Sequence, residues 1–243
     1  YTLREFTCKG CSNHCAIQEF NVEGEKTYWG DKCSERFRRQ ARTDHKPVIE
    51  DLGSFREQLL LDDSALPDVP QDAPRVGLPR CMYTLELLPF YRTLLAHCGL
   101  RTVLSDPTNR RTVTAGLDAV VAEPCFPIIV AHGHVADLAA RGCDYLFLPN
   151  VLNVETRWME RNSHVCPWGQ TLPYVLRQSP AFASIRPGQW LSPVLRFREG
   201  AAEIRRELRR LFKPLGLSAR RVDRAVAAAY EAQRRFAEAC RAK

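Results

Sequence analysis

Residues 75–79, with the sequence RVGLP, begin the part of the chain that decides the fold. This short apolar segment predicts a buried strand, and the amphipathic pattern over 83–98, ended by Gly99, predicts a helix. The alternation continues with strands predicted at 101–105, 118–122 and 144–149 and helices predicted at 108–116 and 127–141. Strands and helices that alternate in this way specify a parallel sheet covered by helices. The fold class is therefore α/β, with a Rossmann-like, flavodoxin-like domain predicted over 74–199.

Three further regions are predicted from composition and periodicity. Residues 1–45 form a small cysteine-rich metal module, and residues 46–73, which contain several Pro and Asp, form a helix followed by a linker. Residues 200–243 form a basic helical extension of two helices, broken at 213–216, with Ser218 as the N-cap of the second helix. Because the chain begins without Met and stops within a predicted helix, we expect it to be a segment of a longer polypeptide.

The amino-terminal module contains a C-x2-C-x3-C-x17-C array, formed by Cys8, Cys11, Cys15 and Cys33. Thiolates gathered this tightly predict a metal site, since sulfur ligands select zinc or iron–sulfur clusters. One three-cysteine hook with a remote fourth cysteine is typical of a 4Fe-4S site, whereas structural zinc usually has two short hooks. Gly10 leaves room for backbone N–H groups to approach sulfur. The sequence favours the cluster, with zinc, a disulfide framework or inert thiols as alternatives.

Cysteine usage and hydropathy indicate the compartment. The chain has ten cysteines, and those outside the array are scattered, without a secretory segment. This pattern predicts a reducing cytoplasm. No stretch of about 20 apolar residues is present, so no membrane span is predicted.

The basic character of the chain belongs to its last part. From Arg196 onward there are 14 Lys and Arg against 6 Asp and Glu, a balance of +8, whereas the whole chain carries +7. The arginines alternate at helical spacing with an apolar face formed by Val222, Val226, Ala229, Gln233 and Phe236. Without a recognition motif or interleaved aromatic residues, nucleic acid binding is disfavoured. The pattern predicts an element that docks to neighbouring domains or a partner protein through complementary charge.

Two cysteines lie at predicted positions beyond the carboxyl edge of the sheet, where ligands bind in open parallel sheets. Cys125 follows the predicted strand 118–122 and precedes a helix, with Pro127 in its first turn. Cys166 precedes a turn and a further helix. Both are candidate ligands of a second cluster, and the alternative is that they are buried structural cysteines. Cys81 follows the first strand and is also well placed.

Several short motifs together resemble a known family. They are VGLPR (76–80), LPFY (88–91), VLSD (103–106), CFP (125–127) followed by HGH (132–134), DYLFLP (144–149), and CP (166–167) with LPY (172–174). In combination they resemble the uncharacterised middle region of the large CoA-substrate-specific enzyme activases. Those proteins are similar to the activators of 2-hydroxyacyl-CoA dehydratases.

The resemblance implies ATP-driven transfer of low-potential electrons through iron–sulfur clusters. It implies an upstream actin-like ATPase domain, fused or separate, a dehydratase-like partner, and a ferredoxin or flavodoxin as electron donor. Cys125 and Cys166 match cluster-ligand positions of the dehydratase-like relatives, whereas Asn150 stands where some relatives have a cysteine. A three-cysteine site is then incomplete unless Cys81 or a partner supplies the third ligand.

Three functions remain in play from the sequence. The favoured one is an iron–sulfur electron-transfer segment of an ATP-dependent activator. The second is a dehydratase- or reductase-type enzyme subunit that binds an acyl-CoA at a cluster. The third is a zinc-stabilised interaction module. The sequence has no P-loop and no Asp-x-Gly nucleotide loop, so this segment is not predicted to be the ATPase itself.

Overall fold

The computed structural model describes residues 1–33, 49–156, 158 and 162–243. The chain divides into two compact units, Tyr1–Glu50 and Asp51–Lys243. Residues 34–45 of the predicted metal module, and 46–48 of the segment after it, lie outside the described residues. The first unit contains an antiparallel sheet of β1 (Thr2–Thr7), β2 (Ala16–Val22) and β3 (Glu25–Trp29), in that order.

The second unit contains helices on both sides of a parallel sheet. In chain order its elements are α1 (Leu52–Leu61), β4 (Arg75–Leu78), α2 (Met82–Glu86), α3 (Leu88–His97), β5 (Arg101–Leu104), α4 (Arg110–Ala119), α5 (Phe126–Ala140), β6 (Tyr145–Phe147), β7 (Asn150–Asn153), α6 (Pro167–Gln178), β8 (Trp190–Leu191), β9 (Val194–Arg196), α7 (Ala201–Phe212) and α8 (Ala219–Ala242).

The four-stranded sheet has the order β5-β4-β6-β8, and all its pairs are parallel. The predicted parallel α/β architecture is therefore confirmed. Because β5 lies on one side of β4 and β6 on the other, the chain changes direction between β4 and β6. In open α/β sheets ligands bind at such a switch point, beyond the carboxyl ends of the strands.

Strands β6 and β7 form one bent ribbon with β8 and β9. Leu146 pairs with Trp190 and Asn150 pairs with Val194, so the offset is 44 residues in both pairs (190 − 146 and 194 − 150). The same offset places Pro149 opposite Pro193 at the bend. Proline has no N–H to donate, but the N–H groups of Leu148 and Asn150 still donate to the Leu191 and Pro193 carbonyl oxygens at 2.9 and 2.8 Å, so the two strands stay paired through the bend. The three short strands β7, β8 and β9 were not predicted from the sequence.

The strand predicted at 118–122 is wrong. Helix α4 continues to Ala119, and residues 120–124, which the structure describes in full, contain no strand. The helix begins with a capping box of Asn109 and Thr112 and then packs against α5. Gly116 and Gly133 let the two backbones touch, since a Cβ on Gly133 would lie 1.9 Å from the Thr112 carbonyl oxygen. This contact keeps the segment helical, so α4 and α5 form an antiparallel pair.

The single helix predicted at 83–98 is two helices, α2 and α3, separated at Leu87. Pro89 causes the break, because it has no N–H for the ordinary helical bond. The Gln233 amide of α8 fills the gap: its Nε2 donates to the Glu86 carbonyl oxygen at 3.2 Å, and its Oε1 accepts the Phe90 N–H at 3.3 Å. The predicted apolar face of α8 therefore packs on α3 within the same unit.

The other predicted helices are present. Helix α1 precedes an irregular segment, α5 matches the predicted 127–141 helix, and Ser218 caps α8 by accepting the Arg221 N–H. Within the part of the chain that the structure describes, no helix is both long and apolar enough to cross a bilayer.

Replacing Gly133 with Ala should destabilise the second unit by about 2–3 kcal/mol, because the new methyl group overlaps the Thr112 carbonyl. Helix propensity alone predicts the opposite sign, a gain of up to about 1 kcal/mol. Urea denaturation measures the difference. The control is Gly188→Ala, since a Cβ on Gly188 meets no described atom within 4 Å. Equal stabilities of the two variants would contradict the helix contact.

Candidate functional site

Three cysteines of the second unit each occupy the N-cap position of a helix. Cys81 precedes α2, Cys125 precedes α5 and Cys166 precedes α6. Proline in the first turn of α5 and of α6 favours the helix start, as predicted for Pro127. Cys125 was placed after a strand that does not exist, and it instead lies at the turn of the α4–α5 pair. The carboxyl edge of the sheet and the N-termini of the two long helices α5 and α6 therefore form the frame of the candidate site.

The first turn of α6 lies directly on the first turn of α2. The Cys166 N–H donates to Tyr83 Oη at 3.0 Å, and a Cβ on Gly169 would lie 2.8 Å from the Tyr83 ring. The turn from β4 into α2 is sharp, because the Cys81 N–H bonds back to the Pro79 carbonyl oxygen at 2.9 Å. Met82 completes it in the left-handed conformation that residues other than glycine rarely adopt, with a φ of 47°. The structure therefore brings the helix starts that carry Cys81 and Cys166 to one corner.

The three thiols have different environments. Cys81 is buried in a hydrophobic cluster that includes Ile128 of α5 and Leu172 of α6. Burial raises the pKa of the Cys81 thiol to about 12. Cys125 and Cys166 are exposed. A metal at this corner would have to displace the proton of Cys81, which a coordinated thiolate does not keep.

Asn150 lies at the bend where β7 begins and is 5% exposed. Its N–H donates to the Pro193 carbonyl oxygen at 2.8 Å, but its Oδ1 has no partner among the described atoms. Because buried polar atoms nearly always have a partner, this oxygen is an available acceptor. Val151 packs in the cluster on the α3 side, so by strand alternation Asn150 faces the other side. The Val165 N–H joins the segment before Cys166 to the Leu152 carbonyl oxygen at 3.0 Å, beside this strand.

In the first unit, Cys8 and Cys15 face each other where β1 turns into β2. The Cys8 N–H donates to the Cys15 carbonyl oxygen at 2.8 Å, and the Gly10 N–H approaches Cys8 Sγ at 3.4 Å, as expected for this glycine. Both cysteines are buried, and they form the small core of the unit with Ile17. Cys11 and Cys33 are exposed, and Cys33 is the last described residue before 34–48.

Metal-binding geometry is a separate question from ligand chemistry. Across residues 1–33, 49–156, 158 and 162–243, no three His, Cys, Asp or Glu side chains converge into a group that holds a metal ion. The thiol donors suit zinc or an iron–sulfur cluster. However, neither the four-cysteine array nor the group of Cys81, Cys125 and Cys166 is assembled as a complete ligand set. Metal binding by either group stays a prediction.

Comparison with known proteins identifies the family. The model of the family described as CoA enzyme activase uncharacterised domain (DUF2229) matches residues 75–243. The chain belongs to this family. The match confirms the resemblance noted from the sequence, and it covers the parallel sheet and both carboxyl-terminal helices but not residues 1–74. Searches of curated proteins and of solved structures found no match. As a CoA enzyme activase domain, the chain has a role related to the activation of CoA-dependent enzymes.

The activase domain also contains a buried polar network that the sequence did not reveal. Ser105 Oγ lies 2.8 Å from His134 Nδ1, and Thr108 Oγ1 lies 3.0 Å from His134 Nε2. The Arg80 N–H donates to the same Ser105 hydroxyl at 2.9 Å. Both ring nitrogens of His134 are thus occupied by hydroxyl groups of the β5–α4 connection. The two hydroxyl groups lie 26 and 29 residues before His134 in the chain, so no local sequence pattern reveals these hydrogen bonds.

The pKa of His134 is lowered to about 4, chiefly by burial and also by the nearby Arg80, whereas Asp137 opposes the shift. The unfolded chain has a histidine pKa of about 6.5. Between these two values the unfolded state takes up a proton that the folded state does not. The contribution of neutral His134 to stability is therefore present above pH 6.5 and lost as the pH falls toward 4.

Acidification should destabilise the second unit more in the wild type than in His134→Gln, because the amide does not titrate. The expected difference approaches about 3 kcal/mol between pH 7 and pH 4, from about 2.5 pKa units. Urea denaturation at a series of pH values gives the two slopes. His97→Gln, at an exposed histidine, is the control and should keep the wild-type slope. Identical slopes for all three proteins would contradict a buried neutral His134.

Proposed function

We propose that this chain is the iron–sulfur electron-transfer segment of an ATP-dependent CoA enzyme activase that acts on a 2-hydroxyacyl-CoA dehydratase or a related CoA-ester reductase. The observation that carries the proposal is the corner where the Cys166 N–H meets Tyr83 Oη. There the helices that start after Cys81 and Cys166 meet at the carboxyl edge of a parallel sheet, and at the same edge Asn150 Oδ1 has no hydrogen-bond partner among the described residues.

The chemistry of this corner suits an anionic cluster. Cys81, Cys125 and Cys166 supply soft thiolate donors, and a 4Fe-4S cluster supplies one-electron chemistry when bound. The N-termini of α5 and α6 present backbone N–H groups and a positive dipole end, both of which stabilise negative charge. The apolar cluster around Cys81 limits water access, which tunes reduction potential. Asn150 would supply a neutral oxygen where relatives place a cysteine.

The amino-terminal array would hold the first cluster through Cys8, Cys11, Cys15 and Cys33. Support comes from the hairpin turn that buries Cys8 and Cys15 together and from the Gly10 N–H that approaches Cys8 Sγ. N–H groups directed at sulfur stabilise thiolate charge in metal sites. The same hook suits zinc, so a zinc-stabilised module is the alternative that elemental analysis must separate.

The remaining parts of the proposal concern context. The domain would be a doubly wound, flavodoxin-like unit in a cytoplasmic protein, with an upstream actin-like ATPase domain, a ferredoxin or flavodoxin as donor, and a dehydratase-like acceptor. The arginine face of α8 would meet the acidic surface of such a donor. Support for the whole comes from family membership and from the cysteine-bearing corner.

Anaerobically purified protein should contain iron and acid-labile sulfide in equal amounts, with about four irons for one cluster and about eight for two. Cys166→Ser should remove the iron and sulfide of the second cluster and leave the iron and sulfide of the first. Cys240→Ser, at a partly buried cysteine of α8, is the control and should keep the wild-type iron content. Stoichiometric zinc without sulfide would reject the electron-transfer function. Unchanged iron and an unchanged reduced spectrum in Cys166→Ser would reject the second cluster alone.

Replacing Cys11 with Ser should unfold the first unit while the second unit stays folded. The described core of the first unit consists of only Ile17, Cys8 and Cys15, so a bound metal would supply most of its stability. Limited proteolysis of metal-loaded protein, followed by mass spectrometry, detects cleavage within residues 1–50. The Cys240→Ser protein should remain resistant there. Equal resistance of the Cys11→Ser protein would show that the unit does not depend on its metal.

A further inference from the structure

Two cavities of the second unit lie on either side of the segment 62–69, which we name the acidic strap after its three aspartates. One cavity has a volume of about 240 Å³ and lies between α1, α3 and α8. The other has a volume of about 370 Å³ and lies between α3 and β5. Leu66 of the strap and Arg92 of α3 line both cavities.

Arg92 is a buried cation with an exposed counter-ion. The residue is 7% exposed, and its Nη1 donates to the Leu60 carbonyl oxygen at 3.1 Å. Its Nη2 forms an ion pair with Asp63, whose side chain is 70% exposed. A buried charge without a counter-ion is strongly destabilising, so some carboxylate must stay beside Arg92. The carboxylate now in this position belongs to the strap, the outermost part of this region.

The strap is held mainly by short-range bonds. The Leu66 N–H donates to the Asp63 carbonyl oxygen at 2.9 Å, and the Ser64 N–H donates to Asp62 Oδ1 at the same distance. These bonds lie within the strap and can persist when it moves as a unit. A ligand carboxylate can therefore take the place of Asp63 without leaving Arg92 unpaired and without unfolding the turn.

The lining of the smaller cavity indicates which anion fits. Apart from Arg92 and Thr93, its inner wall is aliphatic and aromatic, with Leu59, Leu60, Pro89 and Phe236. Asp62 and Arg235 also line it, and the carboxylate of Asp62 disfavours a ligand with a double negative charge such as phosphate. The volume lies below the roughly 300–1,000 Å³ of drug-sized ligand sites. A small ligand with one carboxylate and an apolar chain fits the apolar wall, carries only a single negative charge near Asp62, and suits the small volume.

We propose that the Arg92 cavity binds a short- or medium-chain carboxylic acid, with the carboxylate on the guanidinium and the hydrocarbon chain against Leu60, Pro89 and Phe236. Asp63 acts as an internal competitor that occupies Arg92 in the free protein. The site belongs to the hydrophobic cluster on the α3 side of the sheet, whereas Cys81 belongs to the other cluster. It is therefore independent of the cluster proposal.

Isothermal titration of the full chain with hexanoate, and with hexanol as the uncharged analogue, tests this site. Asp63→Asn removes the competitor, and hexanoate should then bind about tenfold more tightly than to the wild type, since more of the protein is competent to bind. Asp68→Asn is the matched control: like Asp63, Asp68 belongs to the strap and lines the larger cavity, but among the described residues it forms no ion pair with Arg92. Its affinity should stay within about twofold of the wild type.

Arg92→Met, checked for folding by circular dichroism, should lose hexanoate binding. The proposal is overturned if neither the wild type nor Asp63→Asn binds hexanoate saturably, or if Asp68→Asn gains as much affinity as Asp63→Asn. It is also overturned if hexanol binds as tightly as hexanoate, or if inorganic phosphate binds more tightly, because both results exclude a carboxylate site. In Asp63→Asn the carboxylate of Asp62 still interacts with the charge of Arg92, and circular dichroism checks that this variant is folded as well.

Discussion

The register that β6 and β7 keep with β8 and β9 through the bend is the constraint on which the candidate site depends. The offset stays at 44 residues as far as Val151, which places Pro149 opposite Pro193, and it shifts to 43 only at Asn153. A slip of one residue would turn Asn150 toward α3 and Val151 toward α6, exchanging a polar and an apolar side chain between the two faces. The bend also directs β7 toward the segment before α6, which bonds to Leu152 and carries Cys166 to the start of α2.

Most of the regular elements follow from local sequence, and the failures have a common cause. Strands β4, β5 and β6 and helices α5, α7 and α8 were predicted, because each has its own periodicity and its own Gly, Pro or Ser boundary. The α4–α5 pair was missed, since the contact of Gly133 with the Thr112 carbonyl is visible only in three dimensions. Residues 118–122, with the sequence DAVVA, have the composition of a strand, but α4 extends into them as far as Ala119 and 120–122 are irregular.

The same distinction applies to the candidate site. Cysteine spacing and the rule for sheet edges identified Cys125 and Cys166 as candidates and noted Cys81. The bond that joins α6 to α2 spans 83 residues, and no local pattern announces it. The Gln233 amide at the α2–α3 break is a second example of a contact that the sequence does not reveal. In the sequence, Gln233 is one polar position on an apolar helix face, whereas in the structure its two hydrogen bonds reach Glu86 and Phe90. Long-range hydrogen bonds of this kind depend on the assembled core.

Charge pairing leaves three arginines near the start of α8 without an acidic partner among the described residues. Of the six acidic residues after Arg196, five already form ion pairs with arginines close by, namely Glu199, Glu203, Glu207, Asp223 and Glu231. Among the described residues, Arg220, Arg221 and Arg224 have no ion pair. Arg221 donates to the His97 carbonyl oxygen at the end of α3, which leaves its charge uncompensated. In the two proposed ligand sites, the chain without ligand neutralises the buried group by itself. Cys81 keeps its proton, and Asp63 pairs with Arg92, so neither buried group needs its ligand for the domain to fold.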